Sequence, residues 1–427
     1  MYMKWAIGAA AIAGVALADS SNNSTLTTAT PSVGKSCSFK DFTATKSADV
    51  QSVAACATAV GDITIEGDSF GTIELTGLEQ LYGSLQVNNA TQATSLNAPT
   101  LQLVSGQLAL SGNTILSTLN LAQLTTVGTL HFNALPALEK TGLSAGITSA
   151  DEVIISDTGL TSLDGINVFK LQTFDVNNNK DIETIDSGLQ SVTELLSIAY
   201  NSEKVDVALD ELTSANTVSF QSINSLSVAN LTKIGDSLSF DSNSLDKIEF
   251  KQLSSIGKSL TIQKNDNLEE IDFPKLKSIG GALVIQLNDE LKSFDGLPKL
   301  ETIGGSVNLK GKFDNGTFES LQRVAGGFNL DSTGDLTCLE FNKLNKDGDI
   351  KGDKFVCKAA DESSSSSSSK KGNSNGTATS DDSSSETSSS GGSGSSSSSS
   401  KKSDANSAGL NLASILAGFV ALGATLF

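Results

Sequence analysis

The side chains best suited to acid–base chemistry are few in this chain and lie far apart. The sequence contains one histidine, His131, and one arginine, Arg323. They stand in distant repeats of the pattern described below, so they cannot share a site. His131 lies between Leu130 and Phe132, at the outward position of a predicted strand. We interpret it as a surface residue, with a contact to a ligand as the alternative.

Pairs of adjacent acidic residues are the other candidates for catalysis, because glycoside hydrolysis needs two carboxyl groups about 5 to 9.5 Å apart. The pairs are Asp151-Glu152, Asp210-Glu211, Glu269-Glu270 and Asp289-Glu290. They fall at different points of their repeats and mark no common cleft, so we interpret them as solvated surface. The G-x-S-x-G, H-E-x-x-H and nucleotide-binding glycine patterns do not occur in the context that they require. The sequence therefore predicts no catalytic residue, no metal site and no cofactor.

Four cysteines could form disulfides or bind a metal ion. Cys37 and Cys56 precede the repeats, Cys338 and Cys357 follow them, and the members of each pair are 19 residues apart. Four cysteines allow three pairings. We favour local pairing at each end, because a linear array of repeats holds the two pairs far apart, and the same distance argues against a zinc site. Disulfides indicate an oxidising compartment.

A repeated phrase of about 22 residues runs through most of the chain. Residues 258–285 read KSLTIQKNDNLEEIDFPKLKSIGGALVI, and similar phrases recur on both sides. We anchor each repeat on the first apolar residue of a triplet such as Leu260-Thr261-Ile262. The anchors are Ile63, Leu85, Leu108, Leu130, Val153, Phe174, Leu196, Val218, Leu238, Leu260, Leu283, Val307 and Phe328. This regular period is typical of stacked units, each too short to bury its own apolar face.

The order of residue types within a repeat predicts a β-solenoid. Each triplet alternates apolar, variable and apolar residues, which is the pattern of a short strand with one buried face. An Asn follows five residues after several anchors, and we expect it to suit left-handed backbone in a turn and to form a ladder. These residues are Asn113, Asn179, Asn201, Asn243, Asn265 and Asn288. We predict an all-β, right-handed parallel solenoid related to leucine-rich repeats, with about 13 rungs at roughly 4.8 Å each.

Composition divides the chain into seven segments. They are a signal peptide at 1–18, an N-terminal segment at 19–36, an N-terminal cap at 37–60, the solenoid at 61–337, a C-terminal cap at 338–360, a Ser-rich stalk at 361–406 and a removed propeptide at 407–427. In the N-terminal cap, the spacing of apolar residues from Ser47 to Val60 predicts one short helix. Six N-glycosylation sequons fall at Asn22, Asn23, Asn89, Asn230, Asn315 and Asn375.

Both ends of the chain carry targeting patterns. At the start, Lys4 precedes an apolar run that ends in the small residues of a cleavage site. At the end, a Ser-rich segment too polar to fold leads to an apolar run that reaches Phe427 without a following Lys or Arg. This layout is typical of a glycosylphosphatidylinositol (GPI) attachment signal, and we predict Asn406 as the attachment residue. Ser403 and Ser407 are alternatives, as is a true membrane span.

The outward residues of the predicted strands form the candidate binding face. We call the central outward position of each strand the outward column. Its members are Thr64, Gln86, Ala109, His131, Ile154, Asp175, Ser197, Ser219, Ser239, Thr261, Val284, Asn308 and Asn329. They are mostly small and polar, and the one Trp of the chain lies in the predicted signal peptide, which disfavours tight stacking of sugar rings. The column is either hydrated or a weak binding surface for an extended polymer or a protein.

The net charge of the chain narrows the classes of partner. It is −19, with a pI of about 4.4. Nucleic-acid binding needs a basic face, so this charge argues against it. It fits an extracellular, self-repelling surface, and we expect a monomer.

Together these features resemble one family. The flanking Cys pairs, the phrases SIGGALVIQLND and IDFPKLKSIGG, the stalk and the anchor signal are similar to those of the fungal cell-wall organisation family, the GPI-anchored extracellular-mutant and sporulation-specific proteins. The resemblance covers essentially the whole chain and implies repeats like the L domain of insulin-type receptors. It also implies a glycoprotein of the plasma membrane or wall that is needed for wall integrity, and it carries over no catalytic residue.

We therefore expect a non-enzymatic surface glycoprotein required for cell-wall organisation. It would be extracellular, on the outer leaflet of the plasma membrane through its GPI anchor, in the wall, or both. The expected partners are wall polysaccharide such as β-glucan, or wall mannoproteins. The alternatives are a ligand-binding sensor or adhesin, in which the outward column has a partner, and a wall-remodelling carbohydrate enzyme. The lack of a cluster of His, Arg and carboxylate residues argues against the enzyme.

Overall fold

The computed structural model of the protein describes residues 29–359. In this range the chain winds as a parallel β-solenoid, and each turn, here called a rung, is named by its anchor residue. One 22-stranded sheet connects the rungs, and every strand pair in it is parallel. The predicted fold is therefore confirmed: an all-β solenoid of about 13 turns with a disulfide near each end.

The main sheet contains the anchors. Its longer series of strands is Phe42–Ala44, Ile63–Glu66, Leu85–Asn88, Leu103–Ser111, Thr126–Leu135, Glu152–Thr158, Lys170–Asn177, Ser191–Ala199, Ser214–Gln221, Leu238–Asp241, Leu260–Gln263, Leu283–Gln286, Val307–Gly311, Phe328–Ser332 and Phe355–Lys358. Shorter strands precede the anchors at Thr58–Val60, Gln80–Tyr82, Lys233–Ile234, Ser255–Ile256, Ser278–Ile279, Thr302–Ile303 and Arg323–Val324. In the middle rungs the two parts merge into one strand of eight to ten residues.

Short strands on the opposite side of the rungs form three small parallel sheets. Their strands are Thr72–Glu74, Ser95–Asn97 and Thr118–Asn120; then Thr184–Asp186, Val205–Ala208 and Ile223–Ser227; then Lys247–Glu249 and Glu270–Asp272. The apolar core lies between these back strands and the main sheet. In the Leu260 rung, Leu260, Ile262, Leu268 and Phe273 are fully buried. Apolar residues at equivalent positions thus stack along the solenoid, so that each rung completes the core of its neighbours.

The Asn residues after the main strands form a buried ladder, as predicted. The prediction of their backbone conformation was wrong, because the residue with positive φ is the one before the Asn. Lys264 has φ 56° and Leu287 has φ 57°, and the Asn that follows each of them is buried. The left-handed residue turns the chain at the corner of the rung. The Asn side chain then lies inside, where it bonds to the rungs above and below.

The glycines between the short and long strands of a rung allow close packing of neighbouring backbones. A Cβ on Gly257 would lie 1.8 Å from the carbonyl oxygen of Gly235, and a Cβ on Gly280 would lie 2.0 Å from that of Gly257. A side chain at these positions would therefore force the rungs apart. We call this series of glycines the bend column.

Each end of the solenoid carries a small capping element closed by a disulfide. Cys37 bonds to Cys56, and Cys338 bonds to Cys357. The N-terminal helix spans Ser47–Ala54, whereas we expected it to reach Val60. The chain instead continues as the strand Thr58–Val60, because these residues pair with Gln80–Tyr82 of the next rung. The cap also includes a 3-10 turn at Lys35–Cys37, and the C-terminal helix spans Leu339–Asp347.

Candidate functional site

The exposed face of the main sheet is the candidate functional site. Its outward column consists of residues that alternate with buried ones along each strand, as Thr261 does between Leu260 and Ile262. Parallel pairing aligns equivalent residues in successive rungs, so that Ser219 pairs with Ser239 and Ser239 with Thr261. The strand geometry therefore produces one continuous row of mostly small and polar side chains, as the sequence predicts.

Hydrogen bonds between rungs connect a second row of side chains on this face, Asp241, Gln263 and Gln286, to Asn308 and Asn329 of the outward column. Gln263 Nε2 donates to Asp241, Gln286 Nε2 donates to Gln263 at 3.1 Å, and Asn308 Nδ2 donates to Gln286 at 3.4 Å. Asn329 Nδ2 continues the series by donating to Asn308 at 2.9 Å. We call this series the amide ladder. It restrains side chains that would otherwise be free in water, so this part of the face is ordered by its own hydrogen bonds.

His131 lies in the outward column but is less exposed than the sequence suggests. Its Nδ1 is 3.2 Å from Gln107 Nε2 of the preceding rung. Burial lowers the pKa of His131, and the nearby carboxylates Glu152 and Asp175 oppose that shift. Thr129 donates to Glu152 at 3.2 Å, so this carboxylate is also held within the face. His131 is therefore part of a polar network that connects neighbouring rungs.

The other candidate residues of acid–base chemistry are not brought together. Arg323 lies in the strand Arg323–Val324, which pairs with Thr302–Ile303 near the far end of the solenoid from His131. Of the acidic pairs, Glu269-Glu270 leads into a back strand, whereas Asp151-Glu152 leads into a main strand. Burial raises the pKa of Asp151, with a smaller contribution from the charge of Glu152. Within residues 29–359, no three His, Cys, Asp or Glu side chains are grouped so that they could hold a metal ion.

Charge is distributed unevenly along the solenoid. Residues 80–138 contain no Asp, Glu, Lys or Arg, whereas residues 139–211 contain fourteen acidic and four basic residues. On the back strands, Lys247 Nζ lies 3.0 Å from both Glu249 and Glu270, and these carboxylates raise its pKa. The rungs thus differ in charge even though they share one backbone.

Three of the predicted glycosylation residues fall within the described range. Asn89, Asn230 and Asn315 are exposed, so the structure leaves them accessible for modification. The other predicted sites, Asn22, Asn23, Asn375 and the attachment residue Asn406, lie outside the described residues, as do the signal peptide, the stalk and the propeptide. In the described part of the chain, no helix has the length and apolar character to cross a membrane.

The sequence reasoning missed one exposed aromatic residue, Phe169, whose exposed fraction is 53%. It occupies a position that is polar in the neighbouring rungs, with Thr148 before it and Gln190 after it. A single apolar residue in a polar series was the signal that could have identified it.

Comparisons with known proteins identify relatives over most of the chain. No protein-family model and no solved structure matches. The chain is 37% identical to the cell surface GPI-anchored protein ECM33 of Candida albicans, over 82% of each chain. It is 36% identical to the cell wall mannoprotein PST1 of Saccharomyces cerevisiae, over 73% of this chain and 70% of PST1. It is 33% identical to the cell wall protein ecm33 of Schizosaccharomyces pombe, over 76% of this chain and 77% of the relative.

None of these names describes an enzymatic activity, and each refers to the cell surface or the cell wall. The alignments cover 73% to 82% of this chain, and the β-solenoid agrees with the repeat fold that the resemblance implied. The chain belongs to the family of fungal GPI-anchored cell-wall proteins that includes ECM33 and PST1.

Proposed function

We propose that this protein is a non-enzymatic surface glycoprotein that organises the fungal cell wall by presenting an ordered face to wall components. The observation that carries the proposal is the amide ladder from Asp241 to Asn329. Its side chains are bonded to one another across rungs, as at Asn329 and Asn308. A face that is ordered before binding loses less side-chain entropy when a partner binds.

The proposed partners are wall polysaccharide such as β-glucan, or wall mannoproteins. An extended polymer fits this face because the outward column repeats at the spacing of parallel strands, roughly 4.8 Å. The segment at 361–406 would act as a glycosylated stalk, and a GPI anchor at Asn406 would hold the solenoid at the membrane or serve as the point of its transfer to the wall. Glycans at Asn89, Asn230 and Asn315 would complete the surface glycoprotein.

Substitutions on the two faces of the solenoid test the proposal. Changing Ser219, Ser239 and Thr261 to Lys adds three long charged side chains to the outward column. The matched control changes Thr72, Ser95 and Thr118, which form an aligned row on the back strands, to Lys. In a fungal strain that lacks the protein, we expect the back-face variant to restore resistance to wall-binding dyes and the front-face variant to fail. Full restoration by the front-face variant would show that this face does not carry the function.

Two biochemical measurements address the anchor and the alternative of catalysis. Intact cells are treated separately with phosphatidylinositol-specific phospholipase and with β-1,6-glucanase. Release by glucanase supports a structural role in the wall, and release by phospholipase alone supports a role at the membrane. The purified protein is also incubated with β-glucan, and release of reducing sugar ends would contradict a non-enzymatic function.

A further inference from the structure

One hydrogen-bonded column of the solenoid is interrupted at a single rung. At the corner that precedes the main strands, the backbone N–H of each rung donates to the equivalent carbonyl of the rung before it. Thr148 N donates to Thr125 O at 2.9 Å, and Gln190 N donates to Phe169 O at 2.7 Å. Between these rungs, in the described structure, Phe169 N–H makes no hydrogen bond to Thr148 O, and neither group has another partner. This column of backbone hydrogen bonds is therefore open between Thr148 and Phe169.

The bonds on both sides of this opening are intact. Asn167 N donates to Ile147 O at 2.8 Å, and Gln172 N donates to Asp151 O at 2.7 Å. Ser149 still pairs with Thr126 of the rung before, and Lys170 pairs with Ser191 of the rung after. The interruption is thus confined to a few residues of one inter-rung step, so it has the size of a small-molecule site rather than of an added strand.

A groove of about 280 Å³ lies at this opening. It is lined by Thr148, Ser149, Ala150, Val168, Phe169, Lys170 and Gln190. The Phe169 side chain is exposed, and Gly188 of the next rung lies beside its ring, where an added Cβ would be at ordinary contact distance, 3.5 Å. The groove is close to the lower limit of ligand pockets, roughly 300 Å³, and suits one unit of a larger ligand.

Unpartnered polar groups mark the same place. Among residues 29–359, the buried side-chain oxygen and nitrogen atoms without a hydrogen bond are Ser149 Oγ and Asp151 Oδ1. Buried polar groups in native proteins are nearly always paired, so each exception calls for a partner from outside the chain or for strain. Ser149 lines the groove, and its hydroxyl can both donate and accept. Thr148 O and Phe169 N–H supply unused acceptor and donor groups at the groove, and the buried Ser149 hydroxyl reaches it once the side chain rotates about its Cα–Cβ bond.

We propose that this groove binds one pyranose unit of a neutral wall polysaccharide. The ring of Phe169 packs against the apolar face of the sugar, while Ser149 Oγ, Phe169 N–H and Thr148 O bond to its hydroxyl groups. The inference rests on the proposed function and adds to it a defined contact outside the outward column. The scarcity of aromatic residues led us to expect no tight sugar binding. The inference revises that expectation, because the ring of Phe169 lies beside polar groups that have no hydrogen-bond partner.

The charge around the groove selects for a neutral ligand. The one charged residue in the groove lining is Lys170, but residues 139–211 carry fourteen acidic and four basic residues, so the net field of the region disfavours phosphorylated mannan and acidic peptides. A neutral glucan or mannan chain carries no such penalty. Both have the shared chemistry of pyranose hydroxyl groups, and the experiment distinguishes them.

The test measures binding of soluble oligosaccharides to the full secreted chain by isothermal titration calorimetry. The probes are β-1,6-gluco-oligosaccharide, β-1,3-gluco-oligosaccharide and α-manno-oligosaccharide. We expect at least one of them to bind, Phe169→Ala to weaken that binding at least tenfold, and Ser149→Ala to weaken it severalfold. The control is Tyr200→Ala, which removes an equally exposed aromatic side chain at the corner after a main strand and should leave binding unchanged.

Three outcomes would overturn the inference: no probe binds, Phe169→Ala binds as well as the unchanged protein, or Tyr200→Ala loses as much affinity. If no probe binds, the unpaired polar groups at the opening bind only water. Restoration of wall integrity by Phe169→Ala separates this inference from the proposed function. If that variant fails to bind but restores the wall, the groove is a sugar site that wall organisation does not need. If it binds normally while the front-face lysine variant fails to restore the wall, the groove inference is wrong and the proposed function stands.

Discussion

Asn265 Oδ1 accepts hydrogen bonds from both the backbone N–H and the side-chain Nδ2 of Asn243 in the preceding rung, each 2.9 Å long. Asn288 Oδ1 in the next rung likewise accepts from the backbone N–H and Nδ2 of Asn265, with both bonds 3.0 Å long. Asn265 Nδ2 also reaches the carbonyl oxygen of Phe240 at 3.3 Å. Each buried amide thus satisfies groups in adjacent rungs, which is why the chain can bury polar side chains beside its apolar core.

Replacement of Asn265 by Ala should destabilise the solenoid by about 2 to 3 kcal/mol, because it leaves the N–H groups of Asn243 buried without acceptors. The measurement is unfolding in denaturant. Asn267 is the matched control, since it lies two residues away in the same turn and is exposed. Asn267→Ala should change the free energy of unfolding by less than about 0.5 kcal/mol. Equal effects of the two substitutions would contradict a stabilising role for the buried ladder.

The bend column should not tolerate a side chain. Gly257→Ala places a Cβ 1.8 Å from the carbonyl oxygen of Gly235, so the neighbouring backbones must separate. We expect a loss of roughly 2 to 3 kcal/mol in the free energy of unfolding. Gly71→Ala is the control, because nothing lies within 4 Å of the added Cβ. If Gly257→Ala is as stable as Gly71→Ala, the rungs are packed less closely at the bend than the structure shows.

Each terminal disulfide should stabilise the cap that it closes. Changing Cys338 and Cys357 together to Ser removes a cross-link that spans 19 residues, for which chain entropy predicts a loss of about 3 kcal/mol. Hydrogen exchange should show the last rungs opening more readily while the middle rungs keep their protection. Peptide mapping without reduction should link Cys37 to Cys56 and Cys338 to Cys357. Peptides that join the two ends would contradict the linear solenoid.

His131 should titrate below its ordinary pKa of about 6.5, because burial disfavours its charged form. Below pH 6.5 the unfolded chain therefore binds more protons than the folded one, and stability should fall as the pH is lowered from about 6.5 towards the pKa of the folded state. The chain has one histidine, so an NMR titration gives its pKa without ambiguity.

Two variants test the source of this shift. Glu152→Gln removes a charge that raises the pKa of His131, so the midpoint should fall further. Glu319→Gln, in a distant rung, should leave it unchanged. A midpoint at or above 6.5 in the unchanged protein would show that His131 is more solvated than its contact with Gln107 implies.

The sequence by itself determined the architecture of this protein. A regular period sets the height of one rung, and alternating apolar residues decide which side of each strand is buried. The paired cysteines at both ends, 19 residues apart, also pointed to the caps without coordinates. These features are local and repeated, so each rung gives independent evidence for the same fold.

Only the tertiary structure decided where the repetition fails. Lys264, not Asn265, takes the left-handed conformation, because the buried ladder holds the amide inside and leaves the corner to the residue before it. The helix that begins at Ser47 ends at Ala54, since pairing with the next rung overrides helical propensity beyond it. The opening between Thr148 and Phe169 depends on the relative placement of two rungs. The sequence shows Phe169 as an apolar residue between polar equivalents, but the missing hydrogen bond between the two rungs becomes visible only when they are stacked.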